Sequence, residues 1–152
     1  MSTTIFRIIP TDYSLSPPPS SLLEAAARKV GEFIPKARSI EVNVFEEVTF
    51  IDQGEGFENV SCLECKKELD TDWWQEAMNT AYENKFENLE CICPLCGSST
   101  NLNELNYNSP AGFSRFAIVV KDPDRAFDLE PEKIKELESI LNCPLRQIWA
   151  HY

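Results

Sequence analysis

The sequence lacks any long hydrophobic segment, and its longest uncharged apolar run, residues 116–120, has the length of a strand. A membrane-spanning helix needs about 20 such residues, so we do not expect the chain to span a bilayer. The first nine residues contain one arginine and no long hydrophobic stretch before Pro10, which is not the pattern of a secretory signal. We therefore expect a protein of the cytoplasm, where cysteines stay reduced and closely spaced ones indicate metal binding.

Histidine is nearly absent, and this limits the catalytic sites that the sequence can contain. His151 is the only histidine, so it is the single possible imidazole base for a serine or cysteine nucleophile. A lone histidine in a terminal strand is more often a packed or edge residue than a general base. We assign no catalytic residue, and an enzyme of unknown type stays open only as an alternative.

Basic residues are scarce in the middle of the chain. Between Glu41 and Glu104 there are 15 acidic residues and only three basic ones, whereas the whole chain has a net charge of −11. Such a surface repels phosphate backbones and attracts basic partners. A solvated face that keeps the protein soluble is the simpler explanation, and both interpretations stay open.

The hydrophobic pattern that is present predicts the order strand, helix, strand, strand, helix, strand. The strands are predicted at residues 4–9, 40–50, 114–121 and 146–152, and the helices at residues 21–34, capped by Ser20 or Ser21, and 131–141. This is the order of the ferredoxin-like arrangement, so we expect an α+β fold with a four-stranded antiparallel sheet and two helices. In the second strand apolar residues alternate at Ile40, Val42, Val44, Val48 and Phe50, with an exception at Glu46. Either Glu46 points inward or a β-bulge restores the phase, and a bulge is the commoner resolution.

Residues 52–113 are too many for a hairpin loop and predict a structured insertion between the second and third strands. Residues 1–51 and 114–152 would then form the ferredoxin-like domain. Inside the insertion, residues 70–86 show helical spacing of apolar side chains, and Asp72 with Gln75 predicts a capping box at the helix start.

Two Cys-x-x-Cys pairs lie in the insertion, Cys62 with Cys65 and Cys93 with Cys96. Two residues between thiolates let a tight turn direct both sulfurs at one ion about 2.3 Å away, and two such turns complete a tetrahedral shell. We predict one structural Zn²⁺ per chain, with iron as the rival metal. Cys91 would share a strand face with Cys93 and is a possible substitute ligand. Because four thiolates leave no position for water or substrate, the metal should not be catalytic.

The second pair belongs to the run Cys93-Pro94-Leu95-Cys96-Gly97, which resembles the CPxCG knuckle of rubredoxins and zinc ribbons. The resemblance covers roughly residues 60–104 and implies a zinc-ribbon-like insertion. It differs from a simple ribbon in having a helix between its two knuckles. No particular protein family is indicated. The sixth cysteine, Cys143, is expected in the core.

Three classes of function follow from these features. The first is a non-enzymatic acidic module that binds a basic protein partner, such as an inhibitor, an adaptor or an immunity-type protein. The second is a zinc-ribbon module for nucleic acid or transcription, which is disfavoured because only Lys66 and Lys67 near the knuckles can meet phosphates. The third is an enzyme on the ferredoxin-like sheet. For the first class, the expected partner-binding residues are Glu68, Asp70, Asp72, Trp73 and Trp74, with one tryptophan packed and the other free as an anchor.

Overall fold

The computed structural model of the protein describes residues 3–54 and 57–152. These residues form a mixed α+β structure with three helices. In chain order the elements are β1 (Thr4–Pro10), α1 (Ser20–Phe33), β2 (Ser39–Ile51), β3 (Val60–Ser61), α2 (Thr71–Glu83), β4 (Glu90–Ile92), β5 (Ser99–Asn101), β6 (Asn106–Tyr107), β7 (Gly112–Lys121), α3 (Pro131–Leu141) and β8 (Leu145–His151).

The main sheet has four strands in the order β2-β7-β1-β8, and all neighbouring pairs are antiparallel. Helices α1 and α3 pack on one face of it, where Val30 and Leu137 meet Phe6 and Phe116 in a buried cluster. The expected α+β class and antiparallel sheet are confirmed. Each strand and helix predicted for this part of the chain lies within two residues of the observed bounds.

The opposite face of the sheet is also buried, which the alternation in the second strand did not predict. Ile9, Val119 and Ile148 form a second apolar cluster there with Ile51. The segment after β2 runs beside the far edge strand, because Gly54 makes a parallel bridge with His151. A side chain at Gly54 would collide with the His151 carbonyl, and Gly54 has a φ of +58°, so glycine is required at this close approach.

The predicted bulge in β2 is confirmed. Val44 lies opposite Phe116 and Thr49 lies opposite Ser114, so four residues of β2 face only Arg115 of β7. Val44 precedes the bulge and is still in register, and the alternation places it on the buried face, but it is 58% exposed.

The predicted caps of two helices are wrong. Helix α1 has Pro19 as its N-cap residue, without a side-chain cap from Ser20 or Ser21. In α2 the N-cap residue is Asp70, whose carboxylate accepts a hydrogen bond from the Asp72 amide at 2.8 Å. Asp72 therefore lies inside the first turn, and the side chain of Gln75 donates to Asn79 instead of closing a capping box.

Candidate metal centre

The four cysteines of the two Cys-x-x-Cys pairs lie in two turns with the same hydrogen-bond pattern. In the first turn, the Lys66 amide donates to the Cys62 carbonyl at 2.9 Å, and the Cys62 amide donates to the Lys67 carbonyl. In the second, which joins β4 to β5, the Gly97 amide donates to the Cys93 carbonyl at 2.9 Å, and the Cys93 amide donates to the Ser98 carbonyl. The two turns are equivalent knuckles.

Each knuckle needs a left-handed residue directly after its second cysteine. Gly97 has φ +75° and Lys66 has φ +60°. A Cβ at Gly97 would meet no atom within 4 Å, so glycine is favoured there by backbone conformation and not by space. Lys66 adopts the same conformation with a side chain, which costs on the order of 1 kcal/mol.

The sulfur atoms of Cys62, Cys65, Cys93 and Cys96 all lie within 4.8 Å of one another. Sγ of Cys62 is 3.8 Å from Sγ of Cys96, and Sγ of Cys65 is 3.9 Å from Sγ of Cys93. A tetrahedron with metal–sulfur bonds of about 2.3 Å has edges of about 3.8 Å, whereas a disulfide is about 2.05 Å long. The structure thus brings the four predicted ligands together in a cluster that can hold a metal ion.

Hydrogen bonds around the cluster favour thiolates. The amides of Leu95 and Cys96 each lie 3.4 Å from Sγ of Cys93, and Oγ of Ser98 lies 3.0 Å from Sγ of Cys96. The Cys65 amide is the main reason that the pKa of Cys62 falls to about 6. Hydrogen bonds from Ser98 lower the pKa of Cys96.

The close approach of the four sulfurs disfavours thiolates. The Lys67 amide favours the Cys65 thiolate, but burial and the neighbouring cysteine sulfurs raise the pKa of Cys65 to about 11. Four thiolates at such distances need a cation among them, because like charges in a shared site disfavour ionisation. A soft divalent metal fits this donor set.

The other two cysteines lie outside the cluster. Cys91 lies on β4 opposite Thr100 and is half-buried. Burial, followed by the charges of Cys62 and Cys93, raises the pKa of Cys91 to about 11. Cys143 is buried against α1 and α3, as expected.

Helix α2 supplies the apolar support behind the knuckles. Trp74 is 8% exposed and packs in one cluster with Cys62 and Cys93. Its indole nitrogen donates to the Tyr107 hydroxyl at 3.2 Å, and that hydroxyl donates to the Leu102 carbonyl at 2.6 Å. The predicted helix between the knuckles is confirmed, and it is held in place by this buried aromatic chain.

The predicted partner-binding residues separate into two groups. Glu68, Asp70 and Asp72 are exposed around the start of α2. Trp74 lies in the core and Trp73 is only partly accessible. The most exposed aromatic side chain on α2 is Tyr82, at 71%. Its position four residues after Met78 predicts that it would lie on the apolar face of the helix.

A buried polar link was not indicated by the sequence. Asn103 is 2% exposed; its side chain donates to the Thr11 carbonyl and accepts from the Phe113 amide, both at 2.9 Å. The Arg146 guanidinium donates to Asn103 at 3.1 Å and to the Ala111 carbonyl at 3.0 Å. The link ties the segment after the second knuckle to β7 and β8. An asparagine in a turn gives no pattern that would predict it.

No protein-family model, curated protein or solved structure matches this chain. Within residues 3–54 and 57–152, every helix is too short or too polar to cross a membrane. The lone histidine, His151, is exposed, and its Nδ1 lies 3.3 Å from the Thr4 hydroxyl.

Proposed function

We propose that this protein is a non-enzymatic interaction module that presents an acidic, zinc-stabilised surface to a basic protein partner. The observation that carries the proposal is the placement of the carboxylates between Glu41 and Glu104. Apart from Glu55, which lies outside the described residues, all of them except Asp52 are exposed. Among the described residues, only Glu41, Glu47 and Glu104 of this set form ion pairs.

Zinc is the metal that we assign to the four-cysteine cluster, with one ion per chain. Four sulfur ligands with tetrahedral edge lengths suit Zn²⁺ in a structural site, and the closed shell leaves no position for substrate. Tetrahedral iron has the same ligand preference and is the competing assignment. Four thiolates around Zn²⁺ carry a formal charge of −2, so the metal adds to the acidic field.

The architecture that we propose is a zinc-ribbon-like insertion in a ferredoxin-like domain. The strand order β2-β7-β1-β8, with α1 and α3 as the two crossing helices, supports the ferredoxin-like assignment. Two equivalent knuckles support the ribbon. The division into residues 1–51 with 114–152, and 52–113, follows the chain order, in which β3 to β6 and α2 lie between β2 and β7.

The two other classes of function have less support. Lys66 and Lys67 are exposed on the first knuckle and favour a nucleic-acid module, but phosphate would also meet the surrounding carboxylates. An enzyme would need an acid–base pair, and His151 has only the Thr4 hydroxyl as a side-chain hydrogen-bond partner in the part of the chain described. An inhibitor or immunity-type protein of the cytoplasm that binds a basic partner fits the acidic character best, because complementary potentials steer the two surfaces together.

The test of this proposal starts from the partner. With the tagged chain as bait at low salt, we expect a copurifying protein with an isoelectric point above about 9. Its association rate should fall several-fold as salt rises to physiological levels, because screening shortens the electrostatic reach to about 8 Å. Tight, salt-sensitive binding to duplex DNA, with no basic protein recovered, would overturn the proposal in favour of the nucleic-acid module.

Variants that remove carboxylates show which part of the acidic surface speeds association with the partner. Changing Glu68, Asp70 and Asp72 to their amides should slow association, and asparagine at position 70 keeps an N-cap residue for α2. The matched control changes Glu24, Glu132 and Glu136, three exposed acidic residues on α1 and α3, to glutamine. Equal on-rates for the two triple variants would leave the start of α2 without a role in steering.

A further inference from the structure

We infer that the partner's basic segment docks in a groove between the bulge of β2 and the end of α2. The inference rests on the proposed function and specifies which surface binds the basic partner. Two adjoining cavities, of about 250 and 500 Å³, form this groove and share Glu47, Val48 and Lys85 as lining residues. We call it the bulge groove.

The backbone around the bulge groove is irregular on both sides. On one side, residues 45–48 of β2 are out of register with β7, and β2 is an edge strand of the sheet. On the other, Lys85 and Phe86 follow α2 with φ values of +58° and +57°. Two successive left-handed residues with side chains, one of them aromatic, are costly. Bulges and strained residues of this kind concentrate at binding sites.

The charge of the bulge groove selects a basic occupant. Glu46, Glu47, Glu83 and Glu87 line its two cavities against two cations, Lys85 and Arg115, a formal balance of −2. Lys85 is already paired with Glu47 at 3.6 Å. Glu46, Glu83 and Glu87 have no ion-pair partner within the described ranges, so they are available to lysine or arginine of a partner.

The apolar part of the bulge groove suits the stems of the same side chains. Tyr82 is 71% exposed, and its ring packs edge-on against Phe86 with centroids 5.7 Å apart. Val48 is half-buried beside them. Lysine and arginine bury their methylene stems on such surfaces and place their charge near aromatic faces and carboxylates.

One buried donor in the bulge groove lacks an acceptor. The guanidinium of Arg115 donates to the Glu46 carbonyl at 3.1 Å, but its Nε is buried without a hydrogen-bond partner among the described residues. The Nε is closed to solvent, so a main-chain carbonyl of an extended peptide would pair with it only after the Arg115 side chain turns towards the groove, a change that an unpaired buried donor favours. The occupant that fits all these features is an extended segment with alternating basic and apolar residues.

The experiment uses a fluorescent eight-residue peptide of alternating arginine and valine, with a glutamate–valine peptide as the charge-reversed control. Anisotropy at low salt reports the affinity for the full chain. Two triple variants remove the same number of charges. One changes Glu46, Glu83 and Glu87 to glutamine, and the other changes Glu24, Glu132 and Glu136, which are exposed on α1 and α3, to glutamine. Tyr82→Ala tests the apolar wall, and zinc content with thermal unfolding verifies the fold of each variant.

We expect the groove triple variant and Tyr82→Ala each to weaken binding of the arginine–valine peptide by about fivefold or more. The control variant on α1 and α3 should change it by less than about twofold. Equal weakening by the two triple variants, or none by the groove variants, would overturn the bulge groove as the docking site while leaving an acidic binding module in place. If the arginine–valine peptide binds no more tightly than the glutamate–valine peptide, the proposed function fails together with this inference.

Discussion

The four-stranded sheet and the knuckle region, residues 60–107 from β3 to β6, are stabilised in different ways. The four strands of the sheet have 7 to 13 residues and bury apolar side chains on both faces. The four strands of the knuckle region, β3 to β6, have only two or three residues each. Two-stranded ribbons of that size are marginal in water. Apolar burial on both faces therefore stabilises the sheet, whereas the short ribbons of the knuckles need the apolar cluster around Trp74 and the metal ion that we propose for the four cysteines.

The largest effect should come from removing one metal ligand. Cys93→Ser should lower the zinc content from one equivalent per chain to under about a tenth, because three thiolates hold the ion far more weakly. Hydrogen exchange should then show lost protection across residues 60–104, while β1 and β7 stay protected.

The matched control is Cys91→Ser, two positions before Cys93 in the sequence. It should keep the metal, since Cys91 lies outside the four-sulfur cluster. Loss of zinc in this control would make Cys91 a ligand, and loss of protection in β1 and β7 of the Cys93 variant would remove the distinction between the two regions.

The converse change is in the core of the sheet. Leu137→Ala creates a cavity beneath α3, where Leu137 is fully buried, and should lower the free energy of unfolding by about 2–5 kcal/mol. Leu22→Ala on α1, where the side chain is 38% exposed, is the control and should cost much less. Chemical denaturation measures both, and equal losses would contradict the assigned core.

A smaller effect should follow from cutting the polar link between the regions. Asn103→Ala leaves the Phe113 amide without its acceptor and the Thr11 carbonyl without its side-chain donor, which should cost about 1–3 kcal/mol. Asn106→Ala, at an exposed position on β6, is the control. If Asn103→Ala unfolds at the wild-type denaturant concentration, the link does not contribute to stability.

The smallest effect should be on how thermal stability depends on pH, through Glu130. A hydrogen bond and the charge of Lys133, with help from Arg125, lower the pKa of Glu130 to about 2. Because the folded-state pKa is below the unfolded value, this contribution is present above about pH 4.5 and disappears as the pH falls towards 2. Glu130→Gln should therefore reduce Tm at pH 6 and have little effect near pH 2. The same decrease in Tm at both pH values would contradict the ion pair as its cause.

These regions also differ in how much of them the sequence predicts. Regular alternation and helical spacing identify the strands of the sheet and α3, whose predicted bounds, residues 131–141, match the observed helix. The four cysteines are predictable because the spacing of ligands is local chemistry. The exposure of Val44 is not predictable from the alternation, which gives the face of the strand but not how far the helices cover it. Ile40 and Val42, on the same face, pack against the cluster under the helices, and Val44 does not.

The remaining differences have both local and long-range causes. The capping of α2 by Asp70 depends on which of two nearby aspartates reaches the first free amide, and both fit the residue preference at that position. Tyr82 keeps the spacing of a buried residue, but the core of α2 is centred on Trp74, Met78 and Ala81. The link between Asn103 and Arg146 joins residues 43 positions apart and has no local signature.

Strands β2 and β7 remain paired as far as Ile51 and Gly112, and there they carry Phe50 and Phe113 into the aromatic core behind the knuckles. Phe50 lies 6.1 Å from Trp74 and Phe113 lies 5.2 Å from Phe86, between ring centroids. The knuckle region therefore shares its apolar core with the ends of two strands of the main sheet. Excising it and closing the hairpin with a short turn would leave two phenylalanines in water, so a minimal engineered sheet would need polar replacements at positions 50 and 113.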